Sequence, residues 1–253
     1  MAQRQSPSPT SFNSSPLVRL LASLDIAPVS DSAQTFAEKL SHWVAWTDAI
    51  SLSRVLANGR NMPVPYTRSD ASVGTLAVLE RVRRVRAELA ESINNDTTLR
   101  GDTLKRVHLG TGMPPGDRVD YAAYRRNVRA HQHTMEDRIA ELRVEVRAAV
   151  ALLDPALGQL AALDAVLDDA LSAHQRRLLE NVPVMLEKRF QALHKLLQES
   201  SAHEVGPDTP APRRLPAAMG HTLQQVLLAE LEVRMQPVDG LIDALGNKQM
   251  EHA

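Results

Sequence analysis

Residues able to do chemistry are few in this sequence, and their spacing suits it badly. His131-Gln132-His133 brings two imidazoles close together. On a helix, however, residues two apart point to different faces, and a metal pair needs three- or four-residue spacing with a third ligand nearby. The structural reading puts one histidine on an apolar seam and the other in solvent. His174 and His194, on or near apolar faces, are read as packing or pH-sensitive seam residues. Gly110-Thr111-Gly112 has the composition of a phosphate loop. A phosphate cradle needs free backbone N–H groups between a strand and a helix, but here a helix precedes, and Pro114 and Pro115 remove two donors. No serine sits in a nucleophile elbow, and with zero cysteines there is no thiolate chemistry. No catalytic, cofactor or metal set emerges, and the chain reads as non-enzymatic.

Two clusters could bind rather than react. Trp43 and Trp46 are the only tryptophans and stand three residues apart, with Asp48 close behind. On one helix their rings would point about 60° apart. One reading anchors an N-terminal core with them; the other makes Trp43, Trp46 and Asp48 a partner-binding spot, since tryptophan is over-represented at interface hot spots. Trp43 lines up with Phe36 and Leu40 and is expected on the buried side. Trp46 lies toward Lys39 and His42. The second cluster is Arg81, Arg83, Arg84 and Arg86, a candidate phosphate-binding patch. Glu80, Glu88 and Glu91 flank it, which favours a solvated helix face. Arg125, Arg126 and Arg129 form a smaller patch of the same kind.

The elements that hold these residues are helical. Of 253 residues, 43% are hydrophobic but only 3% aromatic, so the core is built mainly of Leu, Ala and Val and suits helix-on-helix packing better than a ring-lined pocket. Basic and acidic side chains number 29 and 30, for a net charge of −1. A protein that coats nucleic acid carries a clear positive excess, so nucleic acid is a disfavoured partner. The longest apolar run, near Ala148–Leu153, falls far short of the roughly 20 residues a membrane span needs. MAQRQSPSPTSFNSSP lacks the apolar core of a secretory signal. A cytoplasmic protein without direct membrane insertion is expected.

Along the chain, residues 1–14 are Ser/Pro-rich and read as a disordered tail. Ser15-Pro16 starts a helix bearing Leu17, Leu20, Leu21 and Leu24. A second helix starts at Ser30-Asp31, carries Phe36, Leu40, Trp43, Val44, Ile50 and Val55 on one side, and stops at Asn58-Gly59. These two make an N-terminal helical unit, 15–57. A linker, 58–71, leads into a helical segment, 72–108, with Val73, Leu76, Leu79, Val82, Val85, Leu89 and Ile93 at helical spacing, and then a loop, 109–119. A Pro-rich linker, 201–216, precedes a C-terminal helix, 217–246. That helix bears Leu223, Leu227, Glu230, Leu231 and Met235, is interrupted at Pro237, and closes with Val238, Leu241, Ile242 and Leu245.

The strongest periodicity lies between 120 and 200. Tyr121, Tyr124, Val128, His131, Met135, Ile139, Leu142, Val146, Ala149 and Leu153 make one stripe. Leu157, Leu160, Leu163, Leu167, Leu171, His174, Leu178, Val182, Leu186, Phe190, Leu193 and Leu197 make another. Both step near the α-helical period. Asp154-Pro155 is a cap followed by a first-turn proline, so a new helix begins there. Narrow seams suit pairing, which predicts a long antiparallel, coiled-coil-like hairpin over 120–200 with its first arm about 50 Å long. A single helix kinked at Pro155 is the competing reading, because the turn is short. Pro183 should kink or break the second arm. Two seams with few aromatics also imply a homo-oligomer.

FAEKLSHWVAWTDAISLSRVL (36–56), VPVMLEKRFQALH (182–194) and LLAELEVRMQPVDGLIDAL (227–245) together resemble a bacterial family, domain of unknown function 3348. The resemblance spans nearly the whole chain beyond the tail and has no mechanism attached. It implies a bacterial cytoplasmic protein and, through gene neighbours that are outer-membrane-protein-A-like or flagellar-motor-like, an accessory to an envelope complex. The expectation is therefore an all-α protein: an N-terminal helical unit, a long hairpin and a C-terminal helix. Its expected work is that of a non-enzymatic scaffold or adaptor holding protein partners. The alternative is a nucleic-acid-associated regulator using Arg81–Arg86.

Overall fold

The computed structural model describes residues 15–24, 43–44, 46–58, 68–100, 121–152, 155–201 and 214–251. These residues are helical throughout apart from turns, and no strand occurs among them. In chain order the helices are α1 (Pro16–Ser23), α2 (Trp46–Asn58), α3 (Arg68–Asn94), α4 (Tyr121–Ala151), α5 (Pro155–Glu180), α6 (Val182–Ser201) and α7 (Arg214–Glu251). None is long and apolar enough to cross a membrane. The expected all-α class is thus observed. The 1–14 tail, the start expected at Ser30-Asp31 with Phe36 and Leu40, and the 109–119 loop lie outside the described residues.

Helix α7 is the hub, packing against α1, α3, α4, α5 and α6. Its core row is Met219, Leu223, Val226, Leu227, Leu231, Met235, Val238, Leu241 and Leu245, all buried. The row passes straight through Pro237, so the interruption expected there does not occur, and the helix also continues past Gly246. A proline inside a helix removes one backbone hydrogen bond and crowds the carbonyl four residues back. Burial of Met235, Val238 and Leu241 on both sides of it supplies the stabilisation that carries the helix on.

Ion pairs set the helix directions. Arg81–Glu145 (3.3 Å) and Arg138–Glu88 (2.6 Å) join α3 to α4, with residue numbers rising on one helix as they fall on the other. Arg143–Asp164, Arg176–Glu136 and Arg125–Glu187 do the same along α4, α5 and α6. Leu153 and Asp154, where α4 gives way to α5, lie outside the described residues.

The α4 stripe is shifted from expectation at two places. Its buried residues are Tyr124, Val128, Gln132, Met135, Ile139, Leu142, Val146 and Val150, so Gln132 and Val150 replace His131 and Ala149. The α5 stripe departs further. Leu157, Gly158, Ala161 and Leu179 are buried along α5, while Leu160, Leu163, Leu167 and Leu171 are half-buried. These leucines lie roughly a quarter-turn around the helix from the residues that meet α4. They share the side of α5 that carries His174, on which Trp43 stacks, and α2 packs along this helix. In α3, Val82, Val85, Leu89 and Ile93 are buried as their spacing predicts, but Leu76 is exposed.

Candidate functional site

The tryptophans do not share one helix. Val44 is a bend, and α2 begins at Trp46 with Asp48 in its first turn, where a carboxylate suits the positive helix end. The phase relation expected between the two rings is therefore lost. Trp43 is 36% exposed and lies 4.4 Å, centroid to centroid, from the His174 ring, so it is not the core anchor that its alignment with Phe36 and Leu40 suggested. Trp46 is 81% exposed. Ile50, one turn along the same face, and Leu56 are exposed as well. No residue over 46–57 of α2 is fully buried, and among the described elements α2 packs on α5 alone. Asp48 is half-buried.

The arginine patch is largely taken up internally. Arg86 reaches α7, where its Nη2 donates to both carboxylate oxygens of Asp239 at 2.6 Å, and Arg81 reaches α4. Arg83 pairs with Glu80 one turn back at 2.8 Å. Arg84 is exposed. Two of the four thus bind α3 to its neighbours. Arg125 of the smaller patch bridges to Glu187 on α6. Among the described residues no group of three or more His, Asp or Glu is disposed to hold a metal. His131 lies against Asp96 (3.1 Å), which also accepts from Asn127 Nδ2 and from the backbone N–H groups of Thr98 and Leu99. Burial alone would raise the Asp96 carboxyl, but these hydrogen bonds outweigh it and hold the group below its ordinary value.

A buried polar cluster joins α4 to α7. Glu230 on α7 is 0% exposed and Gln132 on α4 is 6% exposed, both inside the apolar core. Gln132 Nε2 donates to Glu230 Oε2 at 2.9 Å and to the backbone carbonyl of Leu179 at 3.1 Å. Arg234, one turn along α7, donates to Glu230 Oε1 from Nε at 2.9 Å and pairs through Nη2 at 2.8 Å. Desolvation raises the Glu230 carboxyl above its ordinary value, and Arg234 and Gln132 only partly counter it.

Arg234 also lines a groove of about 430 Å³ between α4 and α5. In its wall, Arg143 and Arg147 grip Asp164 and Asp168: Arg143 Nη2–Asp164 Oδ1 is 2.5 Å, Arg143 Nη1–Asp168 Oδ1 is 2.6 Å, Arg147 Nε–Asp164 Oδ2 is 2.7 Å, and Arg147 Nη2 completes the square on Asp168. Burial disfavours the Asp164 charge, yet the hydrogen bonds from Arg143 and Arg147 prevail and lower its pKa. The network is a charge-matched clamp between helices. Its signal in the sequence is two arginines four apart facing two aspartates four apart; Gln132 has none, since His131 and Gln132 fit the stripe about equally well.

The model of a family described as Protein of unknown function (DUF3348) matches residues 1–247. The chain belongs to that family. No curated protein and no solved structure gives a significant match. The three segments that carry the resemblance hold three of the features above: Trp43 and Trp46 in 36–56, Pro183 and Glu187 in 182–194, Glu230 and Arg234 in 227–245.

Proposed function

We propose that this DUF3348 protein is a non-enzymatic helical scaffold that engages a protein partner through the outward face of α2. The observation that carries this reading is Trp46, 81% exposed and one helical turn from exposed Ile50, on a helix attached to the body along one side only. An amphipathic helix that offers an aromatic and an aliphatic anchor at i and i+4 fits an apolar groove on another protein. The clamps, Arg143–Asp164, Arg147–Asp168 and Arg86–Asp239, hold the bundle that displays it. The partner sought first is a bacterial envelope complex, motor-like or outer-membrane-protein-A-like, met from the cytoplasm.

The test is site-specific photocrosslinking in the native host, with the reactive side chain at position 46 of the full chain and at exposed Val144 on α4 as control. A defined protein adduct at 46 and none at 144, abolished by Ile50→Asp, is the expected result. Equal labelling at both positions, with no discrete adduct, would rule out α2 as the contact.

A further inference from the structure

The bend between α5 and α6 has a specific chemical cause. In an unbroken α-helix the carbonyl of Leu179 accepts the N–H of the residue four further on. That residue is Pro183, which has no N–H. The chain turns at Asn181, whose N–H reaches the Leu178 carbonyl at 3.4 Å, and regular bonding resumes with Met185 N–H on the Asn181 carbonyl at 3.1 Å. Leu179 is a buried residue, so water is a poor substitute partner for its carbonyl. A buried carbonyl left unpaired costs about 1–3 kcal/mol.

Gln132 fills that place. Its Nε2 carries two hydrogens, and the structure gives each an acceptor: the Leu179 carbonyl at 3.1 Å and Glu230 Oε2 at 2.9 Å. Glu230 spends its other oxygen on Arg234. One primary amide thus ties α4 to the bend on one side and to α7 on the other. Few side chains could do this. Leucine or methionine would fill the volume and donate nothing. Glutamate would set a second carboxylate against Glu230. Asparagine is one methylene short.

We propose that Gln132 is a positioning residue matched to Pro183: its amide supplies the hydrogen the proline lacks and so fixes the direction in which α6 leaves α5. Among the described side chains of α6, the fully buried ones lie in its first half. Val182, Leu186 and Phe190 are buried and Glu187 meets Arg125, whereas Gln191, Ala192, Lys195 and Leu196 beyond them are exposed. The angle set at the bend is carried along α6 from there.

The experiment is a double-mutant cycle on the full chain with Gln132→Met and Pro183→Ala, read by urea denaturation, plus spin-label distances between Ala173 and Ala192. Alanine at 183 restores the N–H. The expected result is that Gln132→Met lowers the denaturation midpoint in the natural background by at least twice the shift it causes beside Pro183→Ala. The part that remains in the second background is the bond to Glu230. Gln132→Met should broaden the 173–192 distance distribution, and the double variant should narrow it again. Equal midpoint shifts in both backgrounds, with an unchanged distribution, would overturn the pairing. If Gln132→Met alone does not fold, recovery of folding on adding Pro183→Ala supports the proposal, and persistent failure overturns it.

Discussion

Three glycines of α7 should answer the same substitution in opposite directions. A Cβ built on Gly220 would lie 1.9 Å from the Leu99 carbonyl oxygen and 2.9 Å from its carbonyl carbon. Carbon and oxygen settle no closer than about 3.3 Å, so Gly220→Ala must open the contact by roughly 1.4 Å. The turn that carries Leu99 is poorly able to retreat. Asp96 accepts from the N–H groups of Thr98 (2.8 Å) and Leu99 (3.0 Å) and is braced by Asn127 and His131. Met219 and Leu223 on either side of the glycine are buried. Overpacking of this kind costs about 1–3 kcal/mol, and stretching the Gln224 Nε2 to Asn94 Oδ1 bond, now 2.9 Å, adds about 1 kcal/mol. Against this stands the gain of about 1 kcal/mol that alanine brings over glycine within a helix. The net expectation is a loss of roughly 1–3 kcal/mol, a fall in Tm of about 2–12 °C for a chain of this size. Gly240 and Gly246 have nothing within 4 Å of the same virtual carbon. Their alanine variants keep only the helical gain, and Gly240→Ala should raise Tm by about 2–4 °C. Circular-dichroism melts of the three single variants decide the matter. A Gly220→Ala protein that melts at or above the natural one would show that α7 and the Leu99 turn do not touch as described.

Trp46→Ala should leave thermal stability within about 0.5 kcal/mol of the natural protein, as exposed substitutions do, while Trp43→Ala, which loses the stack on His174, should cost about 1–2 kcal/mol; the reverse order in paired melts would count against the placement of α2. Because the folded-state pKa of Glu230 is raised, its protonation favours the fold, and the stability it contributes is present in acid and lost as pH rises through the folded value. The stability difference between the natural chain and Glu230→Gln, followed by urea titration from pH 7 downward, should therefore shift in favour of the natural chain on acidification. Asp164 and Asp96 have lowered pKa values and work in the opposite sense, losing their contribution as pH falls through them, so the test needs the difference rather than the raw curve. Spin labels at Ala130 and Ala173 should sit near 15–20 Å apart if α4 and α5 run side by side as their ion pairs place them; a distance near 60 Å, that of about 43 residues of straight helix, would refute the arrangement.

Much of the architecture is local chemistry and could be read without coordinates. Helical periodicity, Ser15-Pro16, and the runs Val82–Ile93 and Leu223–Leu245 depend on residues within a few turns of one another, so their spacing alone makes an all-α chain the consistent outcome. Family membership was legible as well, through three blocks that span most of the chain. Periodicity says that a stripe will be buried, but it does not say against what. The leucines of α5 form as regular a row as those of α7, yet only the α7 row lies at the centre, because α5 is rotated to bring Asp164 and Asp168 onto Arg143 and Arg147. Pro237 and Pro183 look alike in sequence. The first lies inside a continuous helix, whereas the second coincides with a break, where the Leu179 carbonyl it orphans is met by a glutamine 47 positions from that leucine in the chain. Gln132 rather than His131 enters the core because its amide meets two acceptors that come from two other helices. Such choices belong to tertiary structure: each depends on a partner distant in sequence, and no local pattern records where that partner will stand.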